Sequence, residues 1–123
     1  TFNITNNLQS SSLYNLGTHS DHYPDIVVSE SRTIDAFRVD TLVTNRKLSI
    51  SNVNFINIDT QGAELSILKG FGTLLSQTSI YGIYLEVNKE PLYEGIPLIS
   101  EIDNFLLEKP QPYFAISAAP LFV

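Results

Sequence analysis

Asp59 and Glu86 are the residues of this chain whose type and placement best suit chemistry. Each is a carboxylate at the end of an apolar run: residues 53–58 read Val-Asn-Phe-Ile-Asn-Ile before Asp59, and residues 80–87 read Ile-Tyr-Gly-Ile-Tyr-Leu-Glu-Val. If both runs are neighbouring strands of one parallel sheet, the two carboxylates emerge on the same rim, at the strand ends where open α/β sheets bind ligands. Such a pair can bind a ribose or sugar hydroxyl, take a proton from an attacking oxygen, or hold a divalent cation. A plainer account of the first carboxylate stands beside this one. Asp59 or Thr60 can be the N-cap of the next helix, with Gly62 giving the tight turn and Glu64 favoured in the first turn by the helix dipole. Glu86 resists that account, because a carboxylate on an apolar strand is costly unless it is paired or exposed at the strand end.

The elements that would position these residues are legible in the second half of the chain. Residues 53–58 alternate and are dominated by β-branched and aromatic types, which predicts a strand with both faces largely covered. From Ala63 the period changes. Ile67, Leu68, Phe71, Leu74 and Leu75 recur at three and four residues, the stripe of an amphipathic helix, which Gly70 and Gly72 divide into two unequal pieces. Residues 80–87 form a second strand, closed by Asn88 to Pro91. A second helix begins near Pro97, carries Leu98, Ile99, Ile102, Phe105 and Leu106, and stops before Pro110 and Pro112; residues 113–117 read as a third strand. Strand, helix, strand, helix, strand predicts a parallel sheet with right-handed crossovers.

Residues 1–52 are less regular. Residues 1–23 are rich in Asn, Ser and Thr and read as loop with at most short strands, and residues 26–28 suit one such strand. Ile34, Phe37, Val39 and Leu42 within residues 31–43 suit a strand leading into a helical turn, and a polar link follows over residues 44–52. The whole chain is expected to be one domain, since 123 residues with 43% hydrophobic content support one modest core.

Composition narrows the partners. The net charge is −6, the isoelectric point is near 4.6, and no Lys/Arg cluster appears, so nucleic acid and anionic membranes are poor partners. No apolar stretch approaches the roughly 20 residues of a membrane helix. The chain has no cysteine, which removes disulfides and thiolate chemistry and fits a cytoplasmic location. It has no methionine either, so sequence upstream is expected. His19-Ser20-Asp21-His22 offers two imidazoles and a carboxylate, but the spacing matches no familiar ligand set and no third histidine exists, so an ordinary polar loop is expected and no metal is assigned. Asn3-Ile4-Thr5 fits a glycosylation acceptor by pattern alone. Tyr81, Tyr84 and Tyr93 are expected to pack in the sheet and loops, since no basic residues interleave with them as in a stacking platform.

Asp59-x-x-Gly62-x-Glu64-Leu65-x-x-Leu68-Lys69-Gly70, directly after an apolar strand, resembles the signature of FkbM-family methyltransferases. The resemblance extends in register over nearly the whole chain. Ser10-Ser11-Ser12-Leu13 with His19 and Tyr23-Pro24 is similar to that family's Ser-rich stretch. Residues 33–42, ending Val39-Asp40-Thr41-Leu42, are an imperfect copy of its strand and turn, and residues 83–93 match its strand with Glu-Val-Asn and Leu-Tyr following. The resemblance implies a partial class I, Rossmann-like α/β fold with a doubly wound sheet whose N-terminal strands are missing. It also implies S-adenosylmethionine as methyl donor of the full-length protein, and a small-molecule acceptor methylated on a hydroxyl oxygen. On that reading Asp59 and Glu86 are the catalytic candidates, and Ser11, Ser12, His19, Gln61 and Glu64 are candidates for binding the acceptor. A Gly-rich turn after a first strand and an acidic residue after a second, which would hold the cofactor, are absent. The competing reading is a non-catalytic α/β module or a degenerate methyltransferase half acting as a scaffold.

Overall fold

The core grows from two apolar strands and the helices that follow them. In the computed structural model, which describes residues 1–76, 79–109 and 116–118, β1 (Phe2–Thr5) and β2 (Val28–Arg32) form an antiparallel pair, while β3 (Phe55–Ile58), β4 (Gly82–Val87) and β5 (Ile116–Ala118) form a parallel sheet in that order. Asn57 sits opposite Tyr84, Ile58 opposite Leu85, and Leu85 opposite Ile116. The helices are α1 (His19–His22), α2 (Val39–Thr44), α3 (Glu64–Gly70) and α4 (Ile99–Leu107), with 3-10 turns at Leu8–Ser10 and Gly72–Ser76.

Alternation decides what is buried. Ile56 and Ile58 of β3 and Ile83, Leu85 and Val87 of β4 point to one face and meet Leu68, Phe71, Leu75, Ile102 and Leu106 there. Both helices that connect the parallel strands therefore cover the same face, as right-handed crossovers between sequential strands require. The other face is open. Phe55 is 59% exposed, and Asn57 and Tyr84 are exposed beside it, which corrects the expectation of a strand covered on both sides. The strand order does not reverse among the described residues, so the fold shown is mixed α/β with two small sheets.

Several expectations meet the structure closely. The helix after Asp59 breaks in two, α3 ending at Gly70 and the Gly72–Ser76 turn beginning at a glycine with φ 56°. The helix expected from Pro97 starts two residues later, where Glu101 reaches back to accept the Leu98 N–H at 3.0 Å. The expected strand within residues 31–43 is absent. Only Ser31 and Arg32 belong to a strand, the end of β2; residues 33–38 have no regular structure, and Val39–Thr44 is helical. Ile34 and Phe37 face solvent instead of a sheet. Residues 110–115, with the expected helix-stopping prolines and the start of the third strand, lie outside the described residues.

The N-terminal segment is fastened over the rim of the parallel sheet by backbone bonds. Gly17 N–H and His19 N–H donate to Leu92 O at 2.8 and 3.1 Å, and Thr18 N–H donates to Pro91 O at 3.0 Å. Gly17 is required by this approach, because a Cβ there would collide with the Pro91 carbonyl. Among the described residues no helix is long and apolar enough to cross a membrane.

Leu68 is fully buried between α3 and the sheet, whereas Leu107 on α4 is 75% exposed. Leu68→Ala is expected to lower the stability of the chain by about 2 to 5 kcal/mol, and Leu107→Ala by no more than about 0.5 kcal/mol, as read by chemical denaturation.

Candidate active site

The loop after β3 is shaped by two left-handed residues. Gln61 has φ 53° and Gly62 φ 111°; the first is uncommon for a residue with a side chain, and such conformations persist where surrounding contacts enforce them. Glu64 supplies those contacts. Its Oε1 accepts from Thr60 N–H and Thr60 Oγ1–H, both at 2.9 Å, and its Oε2 accepts from Gly62 N–H at 3.0 Å. The residue is 2% exposed, so its carboxylate is committed to the turn. Neither Asp59 nor Thr60 caps the helix: the N-cap position is Ala63, with no side-chain cap. The capping account of Asp59 is thereby replaced, because its carboxylate accepts from the Gln61 side chain instead.

That side chain is the centre of the site. Gln61 Nε2 donates to Asp59 Oδ1 at 2.7 Å and to Glu86 Oε2 at 2.7 Å. Tyr93 OH donates to Gln61 Oε1 at 3.0 Å and shares its hydrogen with Ser10 O at 3.1 Å. Ser12 Oγ donates to the Gln61 backbone carbonyl at 2.6 Å and accepts from Tyr14 N–H at 3.1 Å. The two carboxylates therefore stand together on one rim, as expected of adjacent parallel strands.

Their proximity sets their chemistry. Glu86 has its pKa raised from 4.5 to about 7, first by burial and then by the hydrogen bond to Asp59 and the charge of that carboxylate; the Gln61 amide works in the opposite direction. Tyr93 is pushed up to about 12, again by burial first and then by the Glu86 charge. Beside the Asp59 carboxylate, Glu86 thus gains and loses its proton near neutral pH.

The pair opens into a cleft of about 1380 Å³ at the carboxyl ends of the strands. Asp59, Gln61 and Glu86 form one end, and Phe2, Leu8, Leu13, Ile34, Phe37 and Ile67 supply an apolar wall. Of the other candidates, Ser11 and His19 line the cleft, while Ser12 and Glu64 do not. Ser11 Oγ accepts from Thr5 N–H at 3.1 Å. His19 is 5% exposed, lies 3.2 Å from Ser10 Oγ through Nε2, and contacts the rings of Tyr23 and Tyr93. Burial, and then the neighbouring His22, lower its pKa. His22, which also lines the cleft, lies 2.7 Å from Glu90 Oε1 through Nε2. Among the described residues no group of three or more His, Cys, Asp or Glu side chains is placed to hold a metal.

Tyr93 and Ser10 are the members of this network that sequence reasoning missed. Tyr93 was expected to pack, and it does so with 0% exposure, but its hydroxyl also reaches the Gln61 amide. A buried tyrosine hydroxyl requires a partner, and that rule was the one available signal.

A parallel α/β sheet with converging polar groups in a cleft at its strand ends has the layout of a ligand-binding α/β enzyme. Comparison with known families makes the class particular: the model of the methyltransferase FkbM domain matches residues 2–111. The chain belongs to the FkbM methyltransferase domain family. No curated protein and no solved structure matches it.

The raised pKa of Glu86 has a consequence for stability. Its folded value of about 7 exceeds its ordinary 4.5, so its contribution is fully present below about pH 4.5 and is lost as pH rises through 7. Glu86→Gln is therefore expected to raise the melting temperature at pH 8 and to change it little at pH 4, by calorimetry at the two values.

Proposed function

We propose that this chain is the acceptor side of an S-adenosylmethionine-dependent methyltransferase that methylates a hydroxyl oxygen on a sugar or other small metabolite in the cytoplasm. The observation that carries this reading is the Asp59–Gln61–Glu86 cluster at the strand ends, inside a family-matched domain. Methyl transfer to a hydroxyl oxygen forms a C–O bond as the C–S bond to the donor's sulfonium sulfur breaks, and the O–H bond is also broken, so a proton must leave. Glu86, half-ionised near neutral pH, is suited to receive it, because a general base works best with a pKa near the working pH. Asp59 is the more exposed member of the pair and can accept a hydrogen bond from the acceptor hydroxyl, orienting it for in-line attack. Ser11 and His19 line the same cleft and would contact more distant parts of the acceptor.

The residues present do not fit a cradle for the methyl donor. The only Gly-x-Gly, Gly70-Phe71-Gly72, joins α3 to a 3-10 turn and packs near Arg38 and Asp40, so it follows no strand. The Gly62 N–H, which faces the rim, is taken by Glu64. In the complete protein, on this reading, further strands pair with the edge of β3 that is free among the described residues, and their connecting helices cover the Phe55 and Tyr84 face. That would complete a doubly wound sheet and bring in the donor site. The exposed aromatic face supports this, since contiguous apolar surface on a sheet usually marks a contact. A net charge of −6 agrees with a small-molecule acceptor and disfavours nucleic acid.

Asp59→Asn and Glu86→Gln in the complete enzyme are each expected to lower kcat by about 10²- to 10⁴-fold while the fold is kept; unchanged turnover in both would refute the reading. Calorimetry of this chain alone with S-adenosylmethionine is expected to show no micromolar binding, and a micromolar Kd would contradict the division of labour.

A further inference from the structure

We infer that Tyr93 is a positioning residue: its hydroxyl holds the Gln61 side-chain amide in the one orientation that presents both N–H donors to Asp59 and Glu86. The inference rests on the proposed role of those carboxylates for its consequence, but the contact itself is independent of any reaction.

The geometry leaves the amide little choice. Ser10 O and Gln61 Oε1 lie 3.1 and 3.0 Å from the Tyr93 hydroxyl. Ser10 O is a carbonyl that can only accept, so the phenol hydrogen is directed toward the side of its oxygen that faces these two groups. With Oε1 receiving that hydrogen, Nε2 is turned to the rim, 2.7 Å from each carboxylate. The opposite orientation would set Oε1 against two carboxylates and leave Tyr93 without its second acceptor. Further constraints hold the residue from behind. Ser12 Oγ anchors the Gln61 carbonyl at 2.6 Å, and the left-handed backbone at φ 53° fixes where the side chain departs. Tyr93 itself cannot drift: it is fully buried, the backbone of residues 91–94 is bonded to Asn15, Gly17, Thr18 and His19, and its ring meets the His19 ring at 5.5 Å.

The orientation matters because a bidentate donor between two carboxylates favours their ionised forms. The groups facing Glu86 are Asp59 from the end of β3, Gln61 and Glu64 from the turn and the start of α3, and Tyr93 from the segment after β4. His19 of α1 touches Tyr93. Asp59 and Glu64 both oppose ionisation of Glu86, and Gln61 opposes them. With Tyr93 removed, the amide can rotate and offer Oε1 to a protonated Glu86, so the carboxyl should hold its proton to higher pH. Tyr93 thereby tunes the base through a neutral intermediary that touches both carboxylates.

The test is a carbon-13 titration of the Glu86 carboxyl in this chain, in four forms: unaltered, Tyr93→Phe, Gln61→Leu and the double variant. Tyr93→Phe is expected to raise the midpoint by about 0.5 to 1 pH unit, while adding it to Gln61→Leu should change nothing further. A Tyr93→Phe midpoint equal to that of the unaltered chain overturns the inference. So does an equal shift in the Gln61→Leu background, which would mean that Tyr93 acts by packing. Should the variants fail to fold, the unaltered chain still decides. Its Gln61 side-chain amide protons are expected to exchange slowly and to shift with the Glu86 midpoint, and exchange at the rate of a free amide would refute the lock. None of these readouts depends on methyl transfer, so failure of the proposed function and failure of this inference are separately visible.

Discussion

Gln61 donates one hydrogen bond to each of two carboxylates that would otherwise repel each other across the rim between β3 and β4. Much of the surrounding structure can be traced to that requirement. The left-handed turn at Gln61 and Gly62 brings the amide back over the strand end, and Glu64 stabilises the turn by accepting the N–H groups that the reversal leaves free. Gly62 tolerates no side chain: its φ is 111°, and a Cβ would meet Ile96 Cγ2. The N-terminal segment, which contributes little to the apolar core, gains its place by donating Ser12 Oγ–H to the Gln61 backbone carbonyl and by offering the Ser10 carbonyl to the Tyr93 hydroxyl that holds the amide.

The apolar core provides the platform and explains its one-sidedness. Sequential parallel strands with right-handed crossovers place α3 and α4 on one face, so the residues at alternate positions of β3 and β4 are left on the other. Glu86 belongs by parity to the open face, as Tyr84 and Phe55 do, and this is why it reaches the cleft instead of the core. Its own partial burial at the strand end still removes enough water to raise its proton affinity. A carboxylate on an apolar strand thus escapes the usual cost by standing at the strand end and sharing a donor with its neighbour.

What the sequence reveals depends on the range of the interactions involved. Periodicity exposes β3, β4, α3 and α4, because each is a local pattern of apolar residues, and adjacency of two parallel strands then places Asp59 and Glu86 together. The break at Gly70 and Gly72 is equally local. Residues 31–43 mislead for the converse reason: Ile34 and Phe37 are apolar at strand-like spacing yet find no sheet, and an exposed apolar residue leaves the same trace in sequence as a buried one. The role of Glu64 as brace, the displacement of the cap from Asp59, and the link from Tyr93 to Gln61 depend on single side-chain contacts, 2 to 32 positions apart in sequence, that leave no periodic trace. The rule that a buried polar group must find a partner announces such contacts without naming the partner.

The proposed role of Glu86 as a base poised near neutrality is open to direct measurement. The pH dependence of kcat/KM in the complete enzyme reports the ionisation of that group before the acceptor binds. With Glu86 as the base, activity rises with pH through a midpoint at about 7, and that limb disappears in Glu86→Gln together with most of the rate. A profile flat from pH 5 to 9, or a limb that persists unchanged in Glu86→Gln, would contradict it.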